Sequence, residues 1–168
     1  MEPANDSLGS AIWQAMTEDQ IMVAQLPPEG PARDMWRELA FSLPTILAAH
    51  LDRPVSLENI MRTQRTMVAH MVETHFIVRL AEQMGGMTAG MGEMMEGMLG
   101  SLLSILDGIV DNVPGFLEGQ GITEEQVLCH PKGSGFTPET LQRWRTGQLT
   151  IRELLTLQPS VIIVSNRD

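Results

Sequence analysis

The residues whose types come closest to a chemical constellation lie in the run His70-Met71-Val72-Glu73-Thr74-His75. Two imidazoles and a carboxylate within six positions are donors that a metal site could use. Two ligands on one helix, however, are favoured at a spacing of three or four. His70 and His75 are five apart, and at ~100° per residue they point about 140° away from each other. The spacing therefore predicts a solvated His70 and a His75 on the apolar side of a helix. Arg79 and Glu82 follow on the same side, one and two turns on. With Gln64 they form an expected buried polar cluster of Gln64, His75, Arg79 and Glu82, each needing a partner. His75 in such a cluster would be a pH-sensitive contact, and an ordinary histidine midpoint in an NMR titration would remove that role.

Other chemistry finds less. Cys129 directly precedes His130, and adjacent residues rarely meet in the geometry a nucleophile and its base require. There is no serine elbow and no paired-carboxylate signature, and the glycines near Gly85 lack the strand and lysine of a phosphate cradle. Methionine thioethers select Cu(I), but no cysteines or clustered histidines accompany them here. No catalytic residue, metal or cofactor is expected.

The element that organises the chain is the stretch Met84 to Val113. Met84, Met87, Met91, Met95, Met98, Leu102, Ile105, Ile109 and Val113 recur every three or four residues, so a helix places them on one stripe. Glu93, Glu96, Asp107 and Asp111 lie on the far side, with a seam of Gly90, Gly97, Ser101, Ser104 and Gly108 between. Seven glycines fall in this stretch, and inside a helix, at roughly 1 kcal/mol each relative to alanine, they cost on the order of 7 kcal/mol; the alternative is that the first few lie in a loop and the helix starts nearer Gly90. A helix this weak is expected to be clasped by neighbours on both its methionine stripe and its small-residue seam. Met84, Met87, Met91, Met95, Met98 and Leu102 are read as core or as an adaptable surface for an apolar helix of another protein.

Around it the sequence predicts helices near 10–25, from 32 through Pro44, and from Ser56 to about Met84. Pro44 should kink or divide the second. Pro114-Gly115 stops the pattern. Thr123 to Gln126 and Thr150 to Glu153 are capping boxes, and Thr137-Pro138 opens a helix that Gly147 ends. Val161 to Val164 reads as a short strand with no partner in the chain. The expected fold is all-α: a bundle of about five to seven helices around a long antiparallel pair hinged at Gly85-Gly86, with a strand-like tail. Residues 1–116 would form the core and 117–168 a small C-terminal subdomain.

Gly121 to Val127 followed by Thr140 to Gly147 resembles a repressor-type helix-turn-helix, with a turn lengthened by Cys129 to Gly135. The resemblance implies that Gln142, Arg143 and Arg145 face DNA and that Lys132 contacts phosphate. The alternative is a pair of capped helices that pack Leu141 and Trp144 into the core. The charge of −10 opposes non-specific nucleic-acid binding by the whole chain. Residues 1–108 carry −8 of it, with six Lys/Arg against fourteen Asp/Glu. One cysteine excludes a disulfide framework, and no apolar run spans a membrane. The expectation is a cytoplasmic, non-enzymatic regulatory or adaptor protein that binds a protein partner or a second copy of itself. The alternatives are a DNA-binding regulator using 121–157 and a metal protein or enzyme centred on His75.

Overall fold

The computed structural model describes residues 3–19, 26–83, 89–129 and 136–163. The fold is an all-α bundle, with nine α-helices and no strand among the described residues. In chain order they are α1 (Pro3–Glu18), α2 (Pro31–Ile46), α3 (Leu57–Glu73), α4 (Phe76–Gln83), α5 (Ala89–Val110), α6 (Val113–Gln120), α7 (Glu124–Cys129), α8 (Pro138–Arg145) and α9 (Ile151–Leu157). A single 3₁₀ turn, Pro159–Val161, follows. None of these helices is long and apolar enough to cross a membrane.

The first helix begins seven residues before the expected start and ends at Glu18; residues 20–25 lie outside the described part. Leu8, Ile12, Ala15 and Met16 are its buried face. It lies close on α2 because Gly9 has no side chain: a Cβ there would sit 2.9 Å from the Phe41 Cα. Of the two outcomes expected at Pro44, a kink or a division, the division does not occur. The proline falls in the last turn, and Leu47 N–H still donates to the Leu43 carbonyl at 2.8 Å.

The expected helix from Ser56 to Met84 is broken in two. Ser56 caps its start through the Asn59 N–H at 3.1 Å, and the Glu124 carboxylate accepts from Leu57 N–H at 2.7 Å. The chain then turns at Thr74-His75, where His75 adopts φ 53°. A left-handed residue without glycine's freedom is held there by its surroundings. The turn sends Phe76 and Leu80 into the core, with Phe76 edge-on to Trp36 at 5.1 Å.

Helix α5 runs antiparallel to the α3–α4 arm. Arg62 pairs with the Val110 carbonyl, Arg65 with Asp107, His75 with Glu96, and Val78 meets Gly92, a steady march in opposite directions. Pro114 starts a helix rather than stopping one. Proline is tolerated in a first turn, and Asn112 caps α6 by accepting from Gly115 N–H at 3.1 Å. The break at His75 and the helix that starts at Val113, neither of them expected, carry the helix count among the described residues past the expected five to seven.

The C-terminal helices start at the expected caps: Thr123 with Gln126, Thr137 with Thr140, and Thr150 with Glu153. The strand-like tail is a correction. Val161, Ile162 and Ile163 are buried, the last two at 0 % exposure, and Ile163 N–H donates to Pro159 at 2.8 Å. Gln64 Nε2 donates to the Val161 carbonyl at 2.7 Å, so this segment plugs the bundle instead of offering an edge. Val164 lies outside the described residues. One core cluster joins Ile12, Met16 and Leu43 to Leu128, Leu154 and Ile162, drawing on both sides of residue 116.

Candidate interaction face on helix α5

The sequence places one apolar stripe on α5; the structure turns the helix by one residue. The stripe facing the bundle is Gly92, Glu96, Leu99, Leu103, Leu106, Val110 and, at the start of α6, Val113, all buried or half-buried. Gly92 sets this register. A Cβ at Gly92 would lie 3.0 Å from the Ala81 Cβ and 3.2 Å from the Val78 Cα, so any larger residue would press α5 a few tenths of an ångström away from α4. The leucines beyond it then follow the same line.

The methionines consequently face outward. Met91 is 48 %, Met94 68 %, Met95 36 %, Met98 64 % and Ile105 58 % exposed, while Leu102 is half-buried. Met84 and Met87 lie outside the described residues. The small-residue seam is uncovered as well. Gly90, Ser101 and Ser104 are exposed, and a Cβ at Gly97, Gly100 or Gly108 would meet nothing within 4 Å. The expected clasp on two sides is therefore a clasp on one. Seam and methionine ridge together cover about half of the helix circumference without a charged side chain, given ~100° per residue. Met94 was missed by the expected stripe, although its spacing to Met98, Ser101 and Ile105 is equally helical.

The charges of α5, and Asp111 in the turn that follows it, gather beside the seam. Asp107 pairs with Arg65, and Glu96 accepts from His75 Nδ1 at 3.0 Å. Glu93 and Asp111 are exposed and make no ion pair among the described residues.

The expected polar cluster does not form. Gln64 is half-buried and tied to Val161, whereas His75, Arg79 and Glu82 are exposed. The turn at His75 rotates α4 away from the line of α3, so residues one side of it no longer share a face with those on the other. Arg79 Nε donates to the Thr74 carbonyl at 3.0 Å, closing that turn. Among the described residues no three His, Cys, Asp or Glu side chains come together as a metal site would need. A histidine the sequence did not single out is more enclosed. His50 Nε2 donates to Thr66 Oγ1 at 2.9 Å, since that hydroxyl gives its own proton to the Arg62 carbonyl. Its buried Nδ1 has no hydrogen-bond partner among the described residues. Burial, with Arg53 and Arg62 nearby, pushes the His50 pKa below the usual histidine value.

On α8, Gln142, Arg143 and Arg145 are exposed, but both arginines are engaged. Arg143 pairs with Glu153 at 3.2 Å, and Arg145 binds Glu125 in bidentate fashion, both bonds 3.0 Å. The Arg145 guanidinium holds the Glu125 carboxyl below its ordinary range. Lys132 lies outside the described residues. Trp144 Nε1 donates to the Val55 carbonyl at 3.1 Å, and Leu141 and Trp144 pack on the core.

No protein-family model, curated protein or solved structure matches this chain.

Proposed function

We propose that this chain is a non-enzymatic, cytoplasmic regulatory or adaptor protein that docks a protein partner on the outer face of α5. The observation that supports the reading is the exposure of Met94, Met98 and Ile105 along one face, beside a seam of glycine and serine. A globular protein gains by burying such side chains, and here the bundle buries the opposite face instead. Methionine suits this task because its unbranched, polarisable chain repacks against differently shaped surfaces. The seam complements it by letting a second backbone approach where side chains are missing.

The experiment is affinity capture from the native cell with the wild-type chain and with Met98→Glu. Met98 is 64 % exposed, so the variant keeps the fold while placing a charge in mid-face. The expected result is a protein retained by the wild type and lost by the variant. Identical retained proteins would contradict the reading.

A further inference from the structure

Resting on that docking role, we infer that the partner is an amphipathic helix of another protein carrying basic side chains along one edge. The inference comes from two carboxylates, on α5 and just past its end, that make no ion pair among the described residues. Glu93 lies in the first turns of α5 and Asp111 in the turn just past Val110; continuing the helical repeat by that one residue puts them 18 residues, five turns and about 27 Å apart along one line. They border the seam, with the apolar ridge on its other side. The two acidic residues between them are already taken: Glu96 by His75 and Asp107 by Arg65. The open face is thus uncharged through its length, and at each end of a single edge stands a carboxylate with no ion pair among the described residues.

A helix lying in the seam meets this pattern with an apolar stripe at positions i, i+3, i+4 and i+7 and a Lys or Arg near each end of one flank. A second copy of the chain fits worse. Antiparallel two-fold pairing lays ridge on ridge but brings Glu93 of one copy beside Asp111 of the other. Parallel pairing sets each ridge on the other's acidic edge. Each copy also carries −10 overall, and like charges facing each other oppose association. A basic-edged helix turns the same charges into attraction.

The test uses the full chain and three labelled helical peptides that share one Leu/Ala face. They differ only in two edge residues 18 positions apart, which are Lys, Gln or Glu. Fluorescence anisotropy should show the Lys-edged peptide binding roughly tenfold or more tightly than the Glu-edged one, with the margin shrinking as salt is added. The double variant Glu93→Lys/Asp111→Lys should reverse that order, and Met98→Glu should abolish binding of all three. Equal binding of the three peptides, lost in Met98→Glu, would overturn the basic-edge inference and leave the docking role standing. Loss of binding because the chain dimerises through this face would replace the foreign helix by a second copy. No binding by a monomeric chain would overturn both.

Discussion

The one-residue rotation of α5 makes its glycines unequal, and alanine substitution reads that inequality as stability. Gly100 and Gly108 have open space where a Cβ would go. Alanine there keeps every contact and removes glycine's conformational penalty, a gain of about 1 kcal/mol at each site. For a chain of this size that raises Tm by roughly 2–4 °C per substitution. The two sites are eight residues apart, about 12 Å along the helix, so their effects should add. Gly92→Ala earns the same propensity gain but drives its Cβ to 3.2 Å from the Val78 Cα, a backbone atom that cannot step aside, and 3.0 Å from the Ala81 Cβ. Overpacking of this kind costs typically about 1–3 kcal/mol, so the net effect runs from neutral to about 2 kcal/mol destabilising. Urea denaturation followed by circular dichroism, with unchanged slopes as the check on two-state behaviour, measures all three. Gly92→Ala stabilising as much as Gly108→Ala would refute the register; Gly108→Ala destabilising would show the seam covered.

Ile162→Ala should cost about 2–5 kcal/mol, the ordinary loss for a fully buried aliphatic side chain, where an exposed strand would lose little. Trp144→Phe keeps most of the ring but removes the bond to the Val55 carbonyl, and should cost about 0.5–1.5 kcal/mol plus any penalty for the orphaned carbonyl, measured by denaturation. The depressed His50 pKa means that the unfolded chain takes up its proton first on acidification. Its share of stability is fully present above about pH 6.5 and is lost as pH falls below that value. Denaturation at a series of pH values should show that slope, and His50→Gln should flatten it.

Much of the architecture was legible locally. The caps at Ser56, Thr123, Thr137 and Thr150 are side-chain geometries fixed within four residues, and each opens a helix where expected. The misses share a different cause. His75 breaks a helix with no glycine or proline to announce it, because the reason lies in Phe76 and Trp36, on another helix. Val161 to Ile163 have the β-branched composition of a strand, yet burial beside α1 and α9, with the Gln64 bond from α3, decides their conformation. On α5, the series Met91, Met95, Met98, Leu102, Ile105 and the series Leu99, Leu103, Leu106, Val110 have the same period and differ by one position. Periodicity cannot choose between them. The close approach at Gly92 chooses, and it sets the methionines outside.

Methionine oxidation tests the outward methionine face most directly. Brief treatment of the folded chain with dilute hydrogen peroxide, followed by peptide mass mapping, gives a rate for each thioether. Met94 and Met98 should oxidise fast, while Met16, Met67 and Met71, at 0–1 % exposure, should stay intact until the chain unfolds. Met94 and Met98 as slow as Met67 and Met71 would mean that α5 turns its thioethers inward, and the docking face would not exist.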